Sequence, residues 1–146
     1  MNIVSDPYDL QRFIRAQDGL YETALAELRA GSKQSHWMWF IFPQLAELGR
    51  SPTARYYGIS SIDEARAYLE HPLLGSRLRQ SGEAMLPWSD RRSAEKILGS
   101  VDAMKLRSSL TLFDIVEPGS LFDRALLNFF AGRRDELTLA LLERRQ

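Results

Sequence analysis

The sequence predicts an all-α fold in a single globular domain spanning residues 1–146, and three observations support this prediction. Apolar residues recur at spacings of three and four along most of the chain, which is the pattern of amphipathic helices. Capping residues and prolines precede these segments, and glycine or proline follows them. A chain of 146 residues is also long enough to bury one substantial core. We therefore expect one multihelical domain of about seven helices.

Two helices are predicted within the first 31 residues. Asp6 can cap free amides at the start of the first helix, and Pro7 suits its first position. Gly19 interrupts this helix, and Gly31 ends the second one. The apolar stripes of the two helices are Leu10, Phe13 and Ile14, followed by Leu20, Ala24, Leu25 and Leu28.

The densest apolar segment is residues 35–44, SHWMWFIFPQ, which holds two of the three tryptophans and two of the seven phenylalanines. Ser35 is predicted to cap a helix of about two turns that ends at Pro43. Apolar side chains point in every direction around such a helix, so we expect it to be buried on nearly all sides. A buried β-strand fits the same pattern. We favour the helix because the neighbouring segments are helical and no strand partner is evident.

Residues 44–60 are predicted to be irregular because glycine and proline punctuate them, and a connection of this length is often functional. Ser61 and Glu64 then form a capping box. Val101 and Met104 are among the apolar positions of the longest periodic segment, and Leu137 belongs to the packing side of the last helix. These later helices are predicted to begin at Ser61, His71, Ser93, Ser100, Ser120 and Asp135.

Composition excludes several classes of function. Nineteen Lys and Arg balance nineteen Asp and Glu, which argues against binding to a nucleic acid polymer. The absence of cysteine excludes disulfides, thiol nucleophiles and thiolate metal sites, and neither His36 nor His71 has a second ligand at metal-binding spacing. We therefore expect no metal and no cofactor. No apolar segment approaches the roughly 20 residues of a membrane span, and no signal peptide is recognisable, so a cytoplasmic protein is expected.

The aromatic segment supplies four of the candidate site residues together with Tyr57 from the following connection. His36 lies at the predicted helix N-terminus, where the dipole disfavours imidazolium, so a neutral imidazole could act as acid or base. The alternative is a packed core histidine. Trp37 and Trp39 are roughly 200° apart around a helix, so one is expected in the core and the other as a stacking surface. Both can equally be core. Gln44 bears an amide that needs a partner, from the backbone or from a ligand.

A second polar group of side chains lies on the longest predicted helix. Lys105, Ser108 and Ser109 follow the i, i+3, i+4 spacing and share one face. A lysine with two hydroxyls one turn away can bind a phosphate or carboxylate group of a ligand. The alternative is a structural ion pair between Lys105 and a carboxylate of the chain.

Four segments carry a resemblance to a known family: 35–44 (SHWMWFIFPQ), 6–13 (DPYDLQRF), 59–65 (ISSIDEA) and 105–113 (KLRSSLTLF). They resemble a bacterial family of unknown function, the domain-of-unknown-function family number eighteen-ten, which is often labelled "calpastatin". The resemblance implies a single multihelical domain and does not imply a reaction. A calpain inhibitor of that name is polar and disordered, whereas this chain is rich in aromatic residues.

Residues 104–113 and 121–127 are, in addition, loosely similar to the C-terminal helices of the NADAR family. That family is associated with ADP-ribose N-glycosidic chemistry, and its acidic catalytic residue has no match here. The similarity implies a nucleotide-like ligand.

Two hypotheses of function follow. In the first, the domain binds a small anionic or nucleotide-like molecule in an aromatic pocket lined by His36, Gln44, Tyr57 and one tryptophan, with Lys105 and its serines on the anion. Hydrolysis of an N-glycosidic or phosphate-ester bond, with His36 as the acid-base group, is the reaction considered for it. In the second, the domain is a non-catalytic interaction or assembly module, and the aromatic segment is only core.

Overall fold

The computed structural model describes residues 5–144, and within this range the fold is all α-helical, as predicted, with one isolated β-bridge between Leu45 and Ile59. The α-helices are α1 (Gln11–Gln17), α2 (Tyr21–Arg29), α3 (Met38–Ile41), α4 (Pro52–Tyr56), α5 (Ile62–Glu70), α6 (Pro72–Met85), α7 (Ala94–Leu98), α8 (Ser100–Val116), α9 (Leu121–Phe130) and α10 (Glu136–Glu143). Short 3₁₀ turns occupy Ala46–Leu48 and Leu86–Trp88. None of the helices in residues 5–144 is long and apolar enough to cross a membrane.

The predicted number of about seven helices is wrong, because residues 5–144 contain ten. Three of the ten, α3, α4 and α7, have only four or five residues. Such a helix makes barely one turn and is stabilised by caps and tertiary packing, which leave little periodicity in the sequence. Of these three, only α4 has no predicted counterpart: it lies in the connection predicted to be irregular, where the Ser51 hydroxyl accepts the amide of Ala54.

The core is organised around α8, which packs against α5, α7, α9 and α10. A ladder of four aromatic rings crosses it, with ring centroids 5.0 Å apart for Phe13–Tyr68, 5.6 Å for Tyr68–Phe113 and 5.7 Å for Phe113–Phe122. All four side chains are buried. Because such rings bury large areas and contact one another at favourable angles, the ladder joins α1, α5, α8 and α9 into one core.

The aromatic segment forms a shorter helix than its sequence predicts. Helix α3 begins at Met38, and Ser35 does not cap it, because the Ser35 amide and hydroxyl both donate to the carboxylate of Glu27 on α2. The expected burial is otherwise observed, and only Trp39 is half-exposed among the residues from 37 to 43. His36 is exposed and precedes the helix by two residues.

The connection between α3 and α5 is fixed by a buried ion pair. The Arg12 guanidinium of α1 lies 2.7 Å from the Glu64 carboxylate of α5, with 8% and 3% of their side chains exposed. Arg12 also donates to the carbonyls of Tyr56 and Gly58, both at 2.8 Å. Ser61 caps the amide of Glu64 as predicted, but the Glu64 carboxylate binds Arg12 and Ser60. The fixed connection supplies one wall of the cleft described below.

Three apolar residues of the predicted helices are exposed, and one of them, Leu137, was predicted to pack. Val101, Met104 and Leu137 have relative exposures of 65%, 69% and 53%. All three side chains border the same cleft.

Candidate functional site

A cleft of about 440 Å³ lies between α8, the connection after α3 and the start of α10, and we refer to it as the Trp39 cleft. Its apolar walls are formed by Trp39, Leu48, Ala54, Val101, Met104 and Leu137. Its polar lining consists of Gln44, Arg50, Ser51, Lys105, Ser108 and Asp135. This volume and this mixture of many apolar and a few convergent polar groups are typical of sites for small molecules.

Lys105 is a partly buried cation in the lining of this cleft, with 23% of its side chain exposed. Its ammonium lies 4.9 Å from the centroid of the Trp39 ring and 3.6 Å from a carboxylate oxygen of Asp102. Asp102 also binds Lys33, at 3.0 Å, and the Lys33 ammonium lies 5.2 Å from the Trp37 ring. One carboxylate is therefore shared by two ammonium groups, which leaves one positive charge uncompensated within this cluster.

The structure brings four of the predicted site residues together, namely Trp39, Gln44, Lys105 and Ser108, all in the lining of the cleft. The main chain at Gln44 is held in place because its backbone carbonyl accepts the amide N–H of Ile59 at 2.8 Å. The Ser108 hydroxyl donates to the Met104 carbonyl at 3.1 Å, so its oxygen remains able to accept a hydrogen bond. These four side chains come from two separate segments, the aromatic segment and α8.

The other four predicted site residues lie elsewhere. His36 is exposed and does not line the cleft. Trp37 is 1% exposed and is the core tryptophan of the pair. Tyr57 packs on Phe40 with ring centroids 5.6 Å apart, away from the cleft. Ser109 is 1% exposed, and its hydroxyl has no hydrogen-bond partner among the described residues.

Glu27 of α2 organises the segment that carries both tryptophans. Its carboxylate accepts the amides of Gln34 and Ser35 at 2.7 and 3.0 Å, and the Trp37 indole N–H at 2.9 Å. Burial by itself raises the pKa of Glu27. The hydrogen bonds from Ser35, Gln34 and Trp37 outweigh this effect and lower the pKa to about 2. The ionised form thus holds Trp37 in the core, two residues before Trp39.

The lowered pKa of Glu27 implies that part of the folding stability of the protein depends on pH. A depressed pKa in the folded protein contributes stability above the unfolded value of about 4.5, and this contribution is lost as the pH falls towards about 2. We expect Glu27→Gln to lower the free energy of unfolding by about 2 kcal/mol at pH 7, and by less at pH 2.5. Urea unfolding at the two pH values measures both differences.

Glu22→Gln is the matched control, because Glu22 is exposed in the first turn of the same helix. A surface substitution of this kind is expected to change stability by less than about 0.5 kcal/mol. An equal loss for Glu27→Gln and Glu22→Gln at pH 7 would contradict the role assigned to Glu27.

Sequence reasoning missed several residues of the cleft and of its surroundings. Asp102, which pairs with Lys105, lies three residues before it on α8, and this ion-pair spacing was a usable signal. Arg50, Ser51 and Asp135 reach the cleft only through the folding of the chain. No local pattern indicates that Glu27 binds residues seven to ten positions away.

The fold and the cleft define a small multihelical domain with one half-exposed tryptophan beside an interior lysine. Residues 7–142 match the family described as a protein of unknown function, DUF1810, and the chain belongs to this family. Its fold is similar to the crystal structure of the conserved hypothetical protein Rv1873 from Mycobacterium tuberculosis, with a TM-score of 0.92 and 47% sequence identity. The match covers 94% of this chain and 99% of the mycobacterial one. No curated protein matches the chain.

Proposed function

We propose that the Trp39 cleft binds a small anionic molecule that carries a planar ring, a class that includes nucleotide-like compounds. The observation that carries this proposal is the position of Lys105, whose ammonium lies inside a largely apolar cleft beside the Trp39 ring. A cation in such surroundings attracts an anionic group more strongly than one in open solvent, because screening by water is weaker. Its partner Asp102 is shared with Lys33, so the attraction is only partly satisfied within the protein.

Each lining residue has a definite task in this proposal. Lys105 binds the anionic group, while the Ser108 oxygen and the Gln44 amide supply neutral hydrogen bonds. The Trp39 ring stacks with the planar part of the ligand. In the absence of ligand the Lys105 ammonium lies over this ring, so binding exchanges a cation–π contact of about 0.5–1 kcal/mol for an ion pair.

The proposal concerns binding and does not extend to hydrolysis. An acid-base group must come within hydrogen-bonding distance of its substrate, and His36 does not line the cleft. The carboxylate that does line it, Asp135, accepts both the amide and the hydroxyl of Thr138, at 3.0 and 2.5 Å. Asp135 also lies 3.7 Å from Arg107. These partners give Asp135 a structural role at the start of α10.

Binding is tested by thermal-shift screening of nucleoside monophosphates, ADP-ribose, sugar phosphates and aromatic carboxylates, followed by calorimetric titration of the compounds that stabilise the protein. We expect Lys105→Gln to weaken binding at least about tenfold, because a charged hydrogen bond is lost. Trp39→Leu removes the stacking surface and should weaken binding by a similar factor.

His36→Ala is the control, because this exposed side chain lies outside the cleft, and it should leave the affinity unchanged. Failure of every compound to stabilise the protein would contradict the proposal. So would binding that is indifferent to both Lys105→Gln and Trp39→Leu.

The interaction-module hypothesis is favoured by one observation, the three exposed apolar residues Val101, Met104 and Leu137 at the border of the cleft. Under that hypothesis a protein partner covers them. Met104→Asp would then abolish association with the partner, whereas small anions would not compete for the surface. Small-molecule binding that depends on Lys105 supports the first function instead.

A further inference from the structure

The positive charge available to a ligand in the Trp39 cleft is small. Asp102 compensates one of the two ammonium groups of Lys33 and Lys105, so this interior cluster carries a single net positive charge. Arg50 is a further cationic residue of the lining, and it is exposed. Asp135 adds a carboxylate to the lining and lies 3.7 Å from Arg107. The cluster of Lys33, Asp102 and Lys105 can therefore neutralise one ligand charge, and a second anionic charge would find only the exposed Arg50 as another cation in the lining.

Two of the helices that begin beside the cleft, α4 and α10, are capped by side chains of the protein itself. The Ser51 hydroxyl accepts the amide of Ala54 at 3.1 Å, and Pro52, at the first position of α4, has no N–H to offer. The Asp135 carboxylate accepts the amide of Thr138 at the start of α10. Backbone amides at helix starts are frequent binding groups for phosphate. The amides of Ala54 and Thr138 are already paired and are not free for that purpose.

The remaining surface of the cleft is suited to an apolar body. Met104 and Leu137, with Val101 beside them, expose more than half of their side chains at the border, and Leu48 and the Trp39 ring continue this surface inward. Burial of apolar surface is favourable by about 25 cal/mol for each Å² removed from water. A ligand with an apolar ring system thus gains more from these walls than one with a polar sugar.

We propose that the ligand of the Trp39 cleft is an amphipathic monoanion, an aromatic ring system bearing one carboxylate, and that nucleotides with two or more phosphates are disfavoured. The carboxylate binds Lys105, and the ring system lies between Trp39 and the apolar border formed by Met104 and Leu137. This inference rests on the proposed binding function, and it narrows the class of ligand.

The inference is tested by calorimetric titration of five probes at one salt concentration. The probes vary the charge of the ligand and its apolar body independently of each other. Naphthalene-2-carboxylate carries the ring and one charge, naphthalene-2-carboxamide the ring without charge, and 2-naphthyl phosphate the ring with a phosphate. AMP and ADP carry a base, a sugar and increasing charge. We expect the carboxylate to bind most tightly and the carboxamide at least about tenfold more weakly. AMP should bind more weakly than the carboxylate, and ADP more weakly than AMP.

The outcomes separate this inference from the function on which it rests. Tighter binding of ADP than of AMP, or of either nucleotide than of naphthalene-2-carboxylate, overturns the monoanion inference and leaves the binding function in place. Equal affinities for the carboxylate and the carboxamide also overturn it, because the charge would then be irrelevant. If none of the five probes binds, and the broader set of anions fails as well, the binding function itself is overturned.

Variants of the apolar border give an independent measurement. Met104→Ser and Leu137→Ser change exposed side chains, so the fold should persist, while the affinity for naphthalene-2-carboxylate should fall several-fold, by about fivefold or more. Leu127→Ser is the matched control, because Leu127 is 61% exposed on α9 and does not line the cleft. Equal effects of the three substitutions, or no effect of any, would contradict the assigned role of the border.

Discussion

Arg12→Met is expected to lower the free energy of unfolding by about 3–5 kcal/mol, because it removes one partner of a buried ion pair and leaves the other uncompensated. Glu64 is 2% exposed, so its carboxylate has little access to water once the guanidinium is gone. Methionine preserves much of the volume but donates no hydrogen bond. The carbonyls of Tyr56 and Gly58 lose their donors as well. Urea unfolding monitored by tryptophan fluorescence measures the loss.

Two further variants isolate the cause. Arg15→Met changes an exposed arginine of the same helix, whose nearest carboxylate is 3.9 Å away at Asp9, and should cost less than about 0.5 kcal/mol. The double variant Arg12→Met/Glu64→Gln removes both charges and should recover part of the loss, since the unpaired buried carboxylate is the main penalty. A loss below about 1 kcal/mol for Arg12→Met, or no recovery in the double variant, would contradict this account.

The same variant should also affect the cleft. Arg12 binds the carbonyls of Tyr56 and Gly58, near the end of the connection that contributes Gln44, Leu48 and Ser51 to the lining. Loss of these bonds frees the connection from α1 and α5. We therefore expect weaker ligand binding in Arg12→Met even under conditions where the variant remains folded.

Gly58→Ala is expected to destabilise the protein by about 2–3 kcal/mol through overpacking against the backbone. An added Cβ at Gly58 would lie 2.2 Å from the Cα of Ala46 and 2.8 Å from its amide nitrogen. Backbone atoms cannot move aside as a side chain can. The contact lies at the bridge where Ala46 donates to Ile59 at 2.9 Å and Ile59 donates to Gln44 at 2.8 Å. If the segments around Gln44 and Gly58 were pushed apart, Gln44 would be displaced from the cleft.

Gly82→Ala provides the matched comparison, because Gly82 is also buried and has no positive φ. Its added Cβ would meet only side-chain atoms of Leu121, the nearest at 3.2 Å, and it lies within α6, where alanine favours the helix by about 1 kcal/mol. We expect Gly82→Ala to be near neutral in thermal unfolding. Similar losses for the two substitutions would show that the close approach at Gly58 does not control stability.

Part of the candidate site could be predicted from the sequence. Helical spacing correctly grouped Lys105 with Ser108 on one face of α8, and the density of aromatic residues marked the segment from which Trp39 enters the cleft. The same reasoning counted Val101 and Met104 among the apolar positions of α8, and both are exposed. Periodicity records which residues are apolar and not which element covers them.

The position of His36 could not be predicted from the sequence. Its predicted place at a helix start depended on Ser35 as a cap, and Ser35 instead donates to Glu27. A carboxylate eight residues away along the chain cannot be paired with a serine from spacing alone when a loop intervenes. The competing long-range bond delays the helix until Met38 and leaves His36 exposed.

Local pattern was sufficient for the all-α class, for the long helices and for the capping box at Ser61, because these features depend on hydrogen bonds and packing periodicity within a few residues. The short helices, the fate of each tryptophan and the cleft itself depend on contacts between distant segments. Glu27 directs Trp37 into the core, and Arg12 with Gly58 fixes the connection that meets Lys105 across the cleft. Such contacts form only when the whole chain has folded, and their partners share no spacing that a linear pattern records.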